Sequence, residues 1–145
     1  MATARAFGGK EYSPEGIAIA LSNFERNLPV AIENGVDLWM RKAHKVSVTV
    51  YMEGGGKHAP VNPPPGPLKI RSGDLRRSVS TIPAKAQGNV IIGGLQADTD
   101  YAAVHELGGR IPARPYLSPS IDDTEEEGLQ IITSVIQQLA NEAVG

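Results

Sequence analysis

The sequence predicts an α+β fold: a small antiparallel sheet packed against long N- and C-terminal helices, with a long Gly/Pro-rich loop between them. Three observations carry this expectation. Apolar residues recur at helical spacing over 17–50 and again over 129–143. Two β-like runs, Val79 to Ala84 and Asn89 to Leu95, flank a turn at Gln87-Gly88. Glycine (16) and proline (11) are numerous and bunch in the middle of the chain. At 145 residues, with no internal repeat and no second domain apparent, the chain reads as one domain spanning 1–145.

The elements follow in order. Ser13-Pro14-Glu15 combines an N-cap, a proline suited to the first helical position and an acid in the first turn. Ile17, Leu21, Phe24 and Leu28 form one helical stripe, and Pro29 is expected to break or kink it. Ile32, Val36, Trp39, Ala43, Val46 and Val50 continue at helical spacing. Val46, Val48 and Val50 also alternate with polar neighbours, so strand is the alternative to a helix running to about Tyr51. Gly54 to Pro67 contains five prolines, three of them consecutive, and reads as a flexible arm that orders against a neighbour. Ser72 is the expected cap of a short helix opening Ser72-Gly73-Asp74-Leu75, and the two strands come next. Tyr101 to Leu107 reads as another short helix, closed by Gly108-Gly109, and Ile111 to Leu117 as an extended, proline-pinned segment. Ser118-Pro119 and the acids Asp122, Asp123, Glu125, Glu126 and Glu127 then open an amphipathic helix carrying Leu129, Ile132, Val135, Ile136, Leu139 and Ala143.

Composition narrows the function. Aromatic residues make up 5% of the chain, so the core should be mainly aliphatic, with Phe7, Phe24 and Trp39 as its large anchors. The absence of cysteine excludes disulfides and thiolate metal sites and fits a reducing cytoplasm. No secretory segment and no apolar run of about 20 residues is present, so a soluble protein without a membrane partner is expected. Net charge is −2, unevenly spread: residues 41–97 hold nine basic and two acidic side chains, and residues 98–145 hold two and nine. Such a subunit is suited to head-to-tail association, and a heterologous contact that closes makes a ring.

His105-Glu106 would begin a zinc-protease helix only if a second histidine stood at 109, where the chain has Gly109. Gly54-Gly55-Gly56-Lys57 lacks both the spacing and the following helix of a phosphate loop. The acids at 122–127 lack a calcium-loop pattern, and Ser72, Ser78 and Ser80 lack a His/Asp frame. His44, among basic residues on a helix, reads as a surface residue. No catalytic site, metal site or cofactor is expected. Arg71, Arg76 and Arg77 cluster near the short helix, and an acidic face of a neighbouring subunit is the preferred partner. In the sequence Ile111-Pro112-Ala113-Arg114-Pro115-Tyr116-Leu117, the prolines should hold Arg114 on a rigid frame, facing Glu106 or a neighbour's acid.

Read together, these motifs resemble two families of phage tail and neck proteins: the gene-product-ten-like tail components and the Mu-type virion morphogenesis proteins. Arg71-Ser72-Gly73-Asp74-Leu75-Arg76-Arg77-Ser78-Val79 is similar to their T/S-G-x-L-R-x-S-I element, and Val90-Ile91-Ile92-Gly93 to their V-x-V-G strand. Tyr101-Ala102-Ala103-Val104-His105-Glu106-Leu107-Gly108-Gly109 resembles their Y-A-x-x-x-E/Q-F-G helix, and residues 111–117 their I-P-A-R-P-F-L closing motif. Leu107 and Tyr116 stand where phenylalanine is usual, and the loop at 60–67 is longer than in that pattern.

The resemblance implies a non-enzymatic structural component of a tailed-phage virion, at the neck or tail end. It implies a homo-oligomeric ring that joins or completes head and tail, with adaptor, portal-side or tail-tube proteins as partners. Genome DNA would pass through the lumen without sequence-specific binding, and the protein would be found in the virion and, during assembly, in the host cytoplasm. Arg71, Arg76, Arg77, Glu106, Arg114 and Tyr116 are the expected subunit-interface residues, while Gly73, Leu75, Tyr101, Gly108, Gly109 and Pro115 are expected to shape the motifs. The alternative is a small DNA-binding or regulatory module using the basic 41–85 region.

Overall fold

The computed structural model describes residues 4–6, 10–53, 68–69, 73–111 and 113–144. A short antiparallel pair, β1 (Ala4–Ala6) and β2 (Lys10–Tyr12), precedes the first helix; no strand pattern in the sequence announces it. Helix α1 runs from Pro14 to Thr49, 36 residues in all, or roughly 54 Å at 1.5 Å per residue. Its start matches expectation: Ser13 is extended, and its Oγ accepts the Gly16 N–H at 3.1 Å. Residues 46–49, which fit either period, are helical.

The expected interruption at Pro29 does not end the helix. An interior proline removes one N–H and crowds the carbonyl four residues earlier. Glu25, Pro29 and Val30 all lie on exposed surface, where water can satisfy the freed carbonyl of Glu25. The cost is thus tolerated rather than absent. Pro29→Ala should raise stability by about 1–3 kcal/mol, read as a higher midpoint in urea unfolding; a midpoint that stays or falls contradicts this account.

After α1, β3 (Met52–Glu53) pairs in parallel with β4 (Leu68–Lys69). The expected arm at 54–67 lies outside the described residues, as do Phe7, Arg71 and Ser72. Helix α2 (Asp74–Ser78) takes its cap from Gly73, at φ +84°, rather than from the expected Ser72. That left-handed conformation is one glycine adopts without strain.

The hairpin β5 (Ser80–Gln87) and β6 (Val90–Gln96) is longer than predicted and turns at Gly88-Asn89. Its register shifts between Ile82 and Lys85, so one extra residue of β5 is absorbed around Pro83. Helix α3 (Ala102–Leu107) follows. The predicted closing helix is divided into α4 (Ser118–Asp123) and α5 (Glu125–Val144) at Thr124, whose Oγ1 donates to the Ser120 carbonyl at 2.8 Å and accepts the Trp39 indole N–H at 3.0 Å.

Helix α1 is the middle layer. One side carries Glu33, Val36 and Asp37 to the hairpin, and the other carries Gly35, Trp39 and Lys42 to α5. Close approach is built in on both sides. A Cβ at Gly93 would stand 2.8 Å from Val36, and one at Gly128 would stand 2.2 Å from the Trp39 ring.

The buried cluster sits at the C-terminal end of α1 and comprises Met52, Leu75, Val79, Ala102 and Tyr116, flanked by Val48, Tyr51, Ala97 and Leu117. It is built mostly of small and aliphatic side chains, as composition requires. Its large fully buried ring is Tyr116 rather than Phe24 or Trp39, both of which are only half-buried.

Candidate functional site

Glu106 organises the motif region. Its Oε2 accepts the N–H groups of Tyr116 (2.7 Å) and Leu117 (3.0 Å), and its Oε1 accepts the N–H (2.9 Å) and hydroxyl (2.7 Å) of Ser118. These N–H groups lie at the start of α4, so Glu106 caps that helix from ten residues upstream, where no local side-chain cap exists. Burial alone would raise its carboxyl pKa. The N–H groups of Leu117, Ser118 and Tyr116 and the Ser118 hydroxyl outweigh burial and hold it below the ordinary range.

Tyr116 is anchored at three points. Its N–H reaches Glu106, its hydroxyl donates to the Ala102 carbonyl at 3.1 Å, and its carbonyl accepts the Ser47 hydroxyl at 2.5 Å. Burial, followed by the nearby Glu106 charge, pushes its phenol pKa up to about 12. Tyr116 is a core residue of the fold.

Arg114 departs from expectation in two respects. Its side chain does not project from the proline frame but is 7% exposed, and no ion pair joins it to Glu106 or to any other described acid. The reason is chemical: Glu106 already spends both oxygens on α4. The Arg114 backbone N–H donates to the His105 carbonyl at 2.8 Å, while its buried Nη1 has no hydrogen-bond partner among the described residues. His105 packs edge-to-face on Tyr101, with ring centres 5.7 Å apart. Burial, and then the Arg114 charge, lower the His105 pKa.

Tyr101 and Leu107, expected to be buried beneath the sheet, are 41% and 79% exposed. The helix instead turns Ala102 and Glu106, one turn apart, towards the interior. Gly108, at φ +82°, makes the sharp exit, and a Cβ there would press on Ala113 at 3.3 Å. Gly109 has φ +151°, and Pro115 is exposed. Leu75 is buried, whereas Arg76 and Arg77 are exposed on α2 and Arg77 pairs with Asp74. His44 is more than a surface residue: it is half-buried, with Nε2 2.9 Å from the Val79 carbonyl, to which it donates when that nitrogen is protonated.

Sequence reasoning missed Ser47 and Thr124, polar residues buried at 0% and 4% exposure, and the carboxylates of Glu33 and Asp37, which bind hairpin N–H groups. For Ser47, a serine between Val46 and Val48 was the available signal, whereas Thr124 stands among acids and offers none. Among the described residues, no group of three or more His, Cys, Asp or Glu side chains could hold a metal ion, and no helix is long and apolar enough to cross a membrane. The arrangement is a carboxylate-capped loop that also holds the buried side chain of Arg114. No family model, curated protein or solved structure matches the chain.

Proposed function

We propose that this chain is a non-enzymatic structural subunit of a tailed-phage virion, assembling as a ring at the head–tail junction or the tail end and joining or completing head and tail there. The observation that carries the reading is the ordered series of motifs from Arg71 to Leu117. Supporting it, three of the four motifs contribute to one buried cluster: Leu75 and Val79 from the first, Ala102 from the third, and Tyr116 from the fourth. Residues far apart in the chain thus behave as one structural unit. The uneven charge along the chain and the exposed apolar residues of the third and fourth motifs, Leu107 and Ile111, suit subunit contact. Adaptor, portal-side or tail-tube proteins would be its neighbours, with DNA passing through the ring.

Native mass measurement on the purified protein and on assembled particles tests the proposal. The expected result is a closed oligomer in at least one of them, and a strict monomer in both contradicts it. DNA binding that weakens steeply between low and moderate salt would instead favour a DNA-binding module using the basic 41–85 region.

A further inference from the structure

Arg114 is 7% exposed, and its buried Nη1 has no hydrogen-bond partner among the described residues. Arginine does not lose its proton in proteins, so burial cannot be relieved by neutralisation. An unpaired buried charge is costly, and a bound anion removes that cost. Glu106, the acid of the same motif region, is fully engaged with α4, and His105 offers no negative charge. The same stretch of chain, residues 101–114, exposes the large apolar side chains Tyr101, Leu107 and Ile111. Arginine is among the residues enriched at interface hot spots.

The complementary surface lies on α5. Glu125 and Glu126 are exposed, and neither has an ion pair among the described residues; Asp123 and Glu127, by contrast, are taken by Tyr51 and Lys42. One turn further along, on the same side of the helix, Leu129 is 55% exposed. The patch therefore offers one large apolar side chain and two free carboxylates, matching the Arg114 segment in both polarity and charge.

We infer that the Arg114 segment of one copy receives the Glu125/Glu126–Leu129 face of α5 from a second copy, one of these carboxylates becoming the counter-ion of Arg114. Because the two faces differ, the contact is heterologous and propagates from copy to copy until it closes. This inference rests on the ring reading above and supplies its contact.

The chain has no cysteine, so introduced cysteines report on proximity cleanly. Leu107→Cys and Leu129→Cys proteins, mixed and mildly oxidised, should give a disulfide-linked dimer in at least tenfold excess over either protein alone. Glu125→Gln/Glu126→Gln should weaken self-association at least tenfold with an unchanged Tm. Arg114→Met should abolish association while raising Tm, because it removes an unpaired buried charge; a merely structural arginine would lower Tm. Oligomers that persist in the Glu125/Glu126 variant, or that cross-link through Leu107→Cys alone, overturn the inference and leave the ring reading standing. A wild-type protein that stays monomeric at every concentration also overturns it, whereas rings found in assembled particles would still sustain the subunit reading.

Discussion

Glu106→Ala should lower the free energy of unfolding by about 3 kcal/mol, since it removes a charged acceptor from three backbone N–H groups and one hydroxyl together. Hydrogen bonds to a charged group are worth roughly 1.5–3 kcal/mol each, but they do not add, because exposed donors recover water. The Ser118 N–H recovers it readily, and the Tyr116 N–H, on a buried residue, does not. Glu106→Gln keeps the shape and one acceptor oxygen while turning an amide NH2 towards other donors, so about half of the loss is expected. Urea unfolding with an unchanged m value measures both variants. A loss below about 0.5 kcal/mol for the alanine variant would mean that α4 needs no cap.

The same residue sets a dependence on acidity. The folded carboxyl is held below the ordinary glutamate value, about 4.3 in an unfolded chain. Between those two values the unfolded chain binds more protons than the folded one, so stability falls as pH falls. The contribution is fully present above about pH 4.3 and is lost as pH drops through the folded value. Glu106→Gln should flatten this part of the acid unfolding curve.

Gly128→Ala should cost about 2–4 kcal/mol, even though alanine favours a helix over glycine by about 1 kcal/mol. The added Cβ would stand 2.2 Å from Trp39 Cδ2, 2.5 Å from Cε2 and 2.6 Å from Cγ. These are ring atoms near the base of a stiff side chain, and the indole N–H is tied to Thr124 at 3.0 Å. Relief requires either that α1 and α5 separate or that Trp39 swing away and lose that bond. Thermal unfolding of Gly128→Ala in the wild-type and Trp39→Leu backgrounds separates clash from propensity: the penalty should shrink sharply once the indole is gone. An equal penalty in both backgrounds would place the cause elsewhere.

What could be read in advance follows a physical division. The long helices were legible because apolar spacing over many residues averages out local exceptions, and Ser13-Pro14 marks a helix start by itself. Pro29 misled because propensity is local, whereas tolerance depends on whether the freed carbonyl of Glu25 meets water. The hairpin was legible, but its length was not, because the extra residue near Pro83 disturbs the alternation that marks a strand. At the candidate site, the motif residues were visible and their roles were not. Glu106 and Arg114 look like partners on paper, yet the folded chain commits Glu106 to backbone N–H groups. Side-chain-to-backbone bonds carry no residue-pair signature in a sequence. Gly128 is unreadable for a related reason: its importance comes from the tryptophan opposite, 89 positions earlier.

The carboxylates of Asp37 and Glu33 have a consequence for strand pairing with other chains. They accept the N–H groups of Ala84 (2.8 Å) and Ala86 (3.0 Å). Donors that would otherwise invite a stranger's strand are thereby occupied from within the subunit. A two-stranded ribbon with both margins open could grow in either direction, the route by which strand pairing turns into fibrils. With the Ala84 and Ala86 donors occupied, an added strand docks more readily along β6. Two hairpins meeting there would end as a four-stranded sheet with these donors occupied on both outer margins, so runaway polymerisation is disfavoured beyond a single pairing.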